Sequence, residues 1–257
     1  MMIYSPLEQF EISPIMMYFF GDAASTSATK IHVYAFSTGM LALATAVIAL
    51  VIFLEFSTFS IRVVPRPWQI LGEKVYGFVY SDIATQQVGR GVNLFFPLIF
   101  TVFVFVLMSN FVGLVPFSFT TTSHLAVTFG LGLALFAGIN ILAVNIHGMR
   151  FLTLFYPKDA PLSLAPLIVV IELISYVFRV LSLSVRLFAN MMSGHALLKI
   201  LLSFAWLAFS QAFFSVSSAI LLIIFGVMVL ESGIAFVQAY VFTVLVCLYL
   251  KEGLYLH

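Results

Sequence analysis

Residues 162–209 read LSLAPLIVVIELISYVFRVLSLSVRLFANMMSGHALLKILLSFAWLAF. The run is apolar almost throughout, and no proline follows Pro166 anywhere in the chain. At 1.5 Å per residue, a continuous helix over it would be roughly 70 Å long, more than twice the ~30 Å hydrocarbon thickness of a bilayer. Either the helix bends without a sequence breaker, or it lies strongly tilted. A second apolar run covers 213–250. The two together predict a strongly tilted helical hairpin over 162–250 with its turn near Ser210–Gln211.

The surrounding sequence has the same character. Of 257 residues, 63% are hydrophobic and 8% charged, with a mean hydropathy of +1.16. Soluble domains carry about 25% charged residues, so the chain reads as an all-α polytopic membrane protein. Its net charge of +1 says nothing about partners, and the lack of a basic patch leaves nucleic-acid binding without support. The one cysteine, Cys247, can form no internal disulfide and reads as a small core residue.

Three further apolar runs predict spans at 33–54, 92–115 and 122–146, the last two forming a two-span hairpin over 92–146. Between the first and second lies RPWQILGEKVYGFVYSDIATQQVGR, residues 66–90. Trp68, Leu71, Val75, Phe78 and Val79 recur there at helical spacing, with charges and glutamines on other faces. That pattern predicts an interfacial amphipathic helix. No internal repeat is evident, so residues 1–257 read as one membrane domain, with 1–32 as its N-terminal segment.

Basic residues set the expected orientation. Lys30 alone precedes the first span, whereas Arg62, Arg66, Lys74, Arg90, Arg150, Lys158 and Lys251 fall on the other side. The N-terminus is thus expected outside, with the 56–91 loop, the 147–160 loop and the C-terminus inside. Residues 1–29 contain no Lys or Arg but do contain Glu8, Glu11 and Asp22. This matches neither a secretory signal nor an organelle-import peptide, and implies insertion from the compartment of synthesis.

The long run carries the chemistry. Glu172, Ser175, Arg179, Ser182, Arg186, Asn190 and Ser193 step by 3, 4, 3, 4, 4 and 3, one continuous polar stripe on a greasy helix. His195, nine residues beyond Arg186, falls about 180° away, near the face of Ser184. Glu231 and Gln238 are seven apart and share a face of the last helix. An arginine at membrane depth costs roughly 2.5–3.5 kcal/mol and normally faces a partner or a water-filled cavity. Other members of the set have plainer readings. Arg179 pairs with a local acid such as Glu172, two turns away, or reaches the headgroups. Lys199 snorkels, His195 packs, and a serine stripe serves helix packing.

At LSVRLFANMMSGH, followed by LESGIAFVQAYVFTVLVCLYL, the chain resembles subunit a of F-type ATP synthases. SPLEQFEI, SNFVGLVPFSFTTTSH, PLSLAPLIVVIELISYVFR and the ending YLKEGLYLH extend the resemblance over nearly the whole chain and place it with the mitochondrial branch. The resemblance implies the roles. Arg186 stands at the family's essential arginine, facing the c-subunit ring and its mid-membrane carboxylates. His195 and Glu231 match the proton-relay pair, in the mitochondrial arrangement. Gln238 matches a polar position opposite the arginine, Asn190 one close to the proton inlet, and Glu172 the acid lining the inner half-channel. Ser182, Arg179 and Asp159 are possible accessories. Asp159 lies in PKDAP, where relatives often have an uncharged, Gly-containing linker. The family's hairpin lies nearly along the membrane plane.

The resemblance also implies a non-catalytic proton-channel subunit with no metal or cofactor, working with the c-ring, a peripheral stalk, other membrane subunits and lipid in the mitochondrial inner membrane. Histidines titrate near neutral pH and burial moves carboxylates toward that range, so such a pair can relay protons. Two other classes bear on the stripe. Voltage sensors space arginines by three, whereas here the spacing is seven with serine between. A proton-coupled secondary transporter or respiratory-chain subunit is the alternative, but transporters tend to show internal repeats and Gly/Pro-broken helices. A membrane scaffold would need neither Arg186 nor Glu231 in the bilayer.

Overall fold

The computed structural model describes residues 38–58, 64–89, 91–115, 120–148, 151, 165–211 and 214–255. All regular elements among them are helical. They are α1 (Thr38–Thr58), α2 (Pro67–Gly77), a π-helical segment (Phe78–Thr85), α3 (Gln86–Val88), α4 (Val92–Leu114), a 3-10 turn (Thr121–Ser123), α5 (Leu125–His147), α6 (Ala165–Ser210) and α7 (Phe214–Leu254). Five of these, α1, α4, α5, α6 and α7, are long and apolar enough to cross a membrane. The physical cause is the solvent: with no water to bond them, backbone N–H and C=O groups in hydrocarbon must be paired within the segment, and a helix does this alone.

The first span is helical to Thr58, four residues past the expected end at 54, and Ser57 and Thr58 fold their hydroxyls back onto the Phe53 and Leu54 carbonyls. Between α3 and α4, Gly89 (φ +73°) and Gly91 (φ +96°) take positive-φ conformations that a side chain would resist, and the chain reverses there.

The core forms around α4, half of whose apolar window is buried. Ile99, Phe103, Val104 and Val106 are almost wholly enclosed. They pack with Leu183 and Leu187 of α6 and with Ala239, Phe242, Val246 and Leu250 of α7. By contrast α1 and much of α7 leave large apolar side chains outside, including Met40, Ile48, Phe56, Leu222, Phe225 and Leu230. Such faces are stable against lipid tails and costly against water.

The segment expected to lie along the interface differs in its second half. Trp68 and Leu71 are exposed and Trp68 packs on Phe56. From Phe78 the helix widens to π geometry, and Val79, Ile83, Ala84 and Val88 become buried in the main core. Phe78 packs against Phe103, Phe236 and Tyr240. The π turns rotate the apolar face away from its 100° register, so a wheel drawn through 66–90 blurs two different faces.

The helix α6 runs unbroken for 46 residues and α7 for 41, with the turn at Gln211, whose N–H bonds the Leu207 carbonyl. Near the turn, Ser217 Oγ donates to the Ala205 carbonyl at 3.2 Å. At the other end Arg179 meets Glu252. The two helices are therefore antiparallel from the turn back to Tyr176 and Arg179 of α6, where α7 ends. Asp159 and the flanking 152–164 lie outside the described residues.

Candidate functional site

On α6, Tyr176, Val180, Leu183, Ser184, Leu187 and Met191 form the buried stripe. The polar stripe runs beside it. Glu172, Ser175, Ser182, Arg186 and Ser193 are exposed, while Arg179 and Asn190 at its edges are half-buried. Ser193 Oγ donates to the Asn190 carbonyl, so this serine satisfies itself within the helix. Arg186 makes no ion pair among the described residues. It opens onto a cleft of about 380 Å³ between α6 and α7, lined in addition by Arg179, Ser182, Leu183, Tyr240, Val241, Val244 and Leu245.

The partner expected for Arg179 is corrected. Its guanidinium does not pair with Glu172. It donates to Glu252 Oε1 at 3.0 Å and Oε2 at 3.4 Å, and its carbon lies 5.6 Å from the centre of the Tyr249 ring. Glu252 is in YLKEGLYLH, 73 positions downstream. No helix wheel links it to Arg179, because only the fold of the hairpin brings the two ends together.

Glu231 and Gln238 sit on the buried face of α7, 8% and 6% exposed. The Glu231 carboxylate lies against α6 at Gly194: a β-carbon added there would be 2.5 Å from its Oε1. Gly194 precedes His195, which is half-buried. Glycine at 194 thus gives the carboxylate room at the backbone next to the histidine. Glu231, buried at Gly194, lies on a different face of the hairpin from Arg186, which is on the exposed stripe. The set Arg186, Glu172, Glu231 and Gln238 does not converge on one point.

The structure adds residues that the polar pattern of the sequence does not pick out. Asn110 of α4, fully buried, donates its amide to the Ala235 carbonyl at 3.3 Å. Its Oδ1, together with Ser109 Oγ, Thr122 Oγ1, both Glu231 oxygens and Gln238 Oε1, is buried without a hydrogen-bond partner among the described residues. Such groups are costly unless hydrogen-bonded, and water is the usual partner. Ser109, Thr121, Thr122 and Thr128 line a further small cavity against Leu43 and Leu187. An asparagine in the last third of the apolar run 92–115 was the available signal for this group.

The fold and the polar residues define a class: a multi-pass helical membrane protein with an exposed arginine stripe and a buried carboxylate on one long hairpin. Residues 38–251 match the family model described as ATP synthase A chain. The chain is 40% identical to ATP synthase subunit a of Chondrus crispus, covering 99% of this chain and 98% of the relative. It is 40% identical to that of Marchantia polymorpha, covering all of both. With the subunit a of the bacterium Dinoroseobacter shibae the identity is 42%, over 99% and 96%. The chain belongs to the ATP synthase A chain family, whose members are non-catalytic membrane subunits of the ATP synthase complex.

Proposed function

We propose that the α6–α7 hairpin carries protons between two offset aqueous half-channels and the carboxylates of a c-subunit ring, with Arg186 between the two paths. Protons from the outer side approach through His195 and Glu231, with Gln238 and Asn190 beside that path, and neutralise a ring carboxylate. The neutral ring site turns through lipid and releases its proton to the inner half-channel near Glu172. Arg186 places a guanidinium cation between the two paths. It lowers the pKa of the arriving carboxylate, which favours release, and as a fixed cation it repels protons that would leak straight across. The membrane potential supplies ~2.3 kcal/mol per charge per 100 mV.

One observation carries this reading: Arg186 is exposed on the polar stripe, whereas Glu231 is buried against Gly194 beside His195. A cation for an external partner and a carboxylate for an internal relay need that separation. The buried oxygens of Asn110, Glu231 and Gln238, which have no hydrogen-bond partner among the described residues, support a wet path on the Glu231 side. In the assembled complex the hairpin lies near the membrane plane. The c-ring covers the stripe, the peripheral stalk and other membrane subunits flank the chain, and the C-terminus faces the matrix of a mitochondrion and the N-terminus the intermembrane space.

The test is ATP-driven proton pumping in membrane vesicles whose synthase carries Arg186→Ala, with assembly followed by native gel. Pumping should vanish while the complex assembles. Pumping at the wild-type rate would make Arg186 a structural charge and sink the mechanism.

A further inference from the structure

The cleft that Arg186 opens onto holds two guanidinium groups. Arg179 and Arg186 both line it, seven residues apart on one face of α6, about 10 Å along the helix axis. Its other polar lining is Ser182 and Tyr240, and the rest is aliphatic. A carboxylate that sought a cation along this face would find two stops. The difference between them is what each arginine already holds. Arg186 has no ion pair among the described residues. Arg179 is occupied: both Glu252 oxygens accept from it, and the Tyr249 ring lies under its guanidinium carbon.

The network behind that pair is built to hold it. Tyr249 OH reaches the Tyr176 carbonyl at 3.5 Å, and Tyr176 OH donates to Asn140 Oδ1 of α5 at 3.0 Å. Phe136, Tyr176 and Tyr249 pack together with ring centres 4.9–5.7 Å apart. Gly253 lies against Ala143 and Ile139 of α5, and a His147 ring nitrogen bonds the Leu254 carbonyl at 3.2 Å. The end of α7 is therefore fixed on α5, and Glu252 is presented to Arg179 rather than free to wander.

We propose that Glu252 is a positioning residue that masks Arg179, so that of the two arginines lining the cleft Arg186 alone is without an ion pair among the described residues. A rotating carboxylate then stops once, at Arg186, and not a second time seven residues away. The inference rests on the reading of Arg186 as the group that meets the ring.

Four variants of the intact synthase decide it: Glu252→Gln, Glu252→Asp, Arg179→Gln and the pair Arg179→Gln/Glu252→Gln. Assembly is scored by native gel, and proton pumping is measured per ATP hydrolysed. Unmasking Arg179 in Glu252→Gln should cut pumping at least tenfold, and Glu252→Asp should restore it. Removing the unmasked cation should rescue: the pair should pump like Arg179→Gln, at least tenfold above Glu252→Gln. Wild-type pumping in Glu252→Gln overturns masking. So does a pair as inactive as Glu252→Gln, which would make the Glu252 carboxylate necessary in itself. An Arg179→Gln variant as inactive as Glu252→Gln also overturns it. If Glu252→Gln does not assemble, the pair alone decides: it must both assemble and pump, and failure of either makes the bridge structural. Failure of masking leaves Arg186→Ala without pumping, whereas failure of the Arg186 reading leaves it pumping.

Discussion

Gly194 has the most local consequence. Its missing side chain leaves the space that the Glu231 carboxylate occupies. Gly194→Ala should help the helix itself, since alanine is better than glycine in a helix interior by about 1 kcal/mol. The clash falls on the far end of a flexible side chain, so the carboxylate swings aside and the fold survives. Pumping should fall, by as much as ~100-fold if the relay geometry shifts by about 1 Å, while native gels show unchanged assembly. Wild-type pumping would mean that Glu231 does not act from this position. Cys247, 0% exposed, is expected to resist thiol reagents in the folded complex. Reaction at the rate of an exposed thiol would contradict the packing of α7 on α4. The sequence marked Arg186, Glu231 and Gln238 because polar groups are rare in an apolar run. It could not mark Glu252 as the partner of Arg179, because a terminal acid next to a lysine looks like a solvated end.

At the scale of elements, α4 is the most enclosed of the long helices. Phe103 is 0% exposed and packs on Phe78 of the π segment and Phe236 of α7. Phe103→Ala should cost about 3–5 kcal/mol, read as a lower melting temperature of the purified complex. A shift within error would show that the π segment does not rest on this side chain. The close pass of α5 over α6 depends on Gly132, where a β-carbon would lie 2.6 Å from Ser184 Oγ. Long apolar helices were legible from length and composition. The π segment was not. A hydrophobic wheel assumes 100° per residue, and the segment 66–90 changes its winding at Phe78, so one half faces outward and the other joins the core.

At the scale of the whole molecule, one face of the hairpin is an open strip of polar residues on an apolar body. Ser175 and Ser193 are exposed on it. Cysteines at these positions should form disulfides with cysteines placed on the outer helices of the c-ring in the assembled synthase, as read on non-reducing gels. A cysteine replacing Ser184, 0% exposed, should not. Crosslinks from position 184 but not from 175 or 193 would turn the hairpin around and remove the support for a ring-facing Arg186.

The class of the molecule follows from sequence alone. A chain with 63% hydrophobic residues and unbroken apolar runs must satisfy its backbone in lipid, and helices are the single-segment way to do so. The polar stripe of α6 follows as well, because spacing along one helix is a local property. What only the tertiary structure decided is every relation between helices. These are the bridge from Arg179 to Glu252, the seat of Glu231 at Gly194, the buried Asn110 amide on Ala235, and the burial of Val79, Ile83 and Val88. Each joins residues tens of positions apart or depends on a neighbour's packing, and neither is written into the periodicity of a single segment.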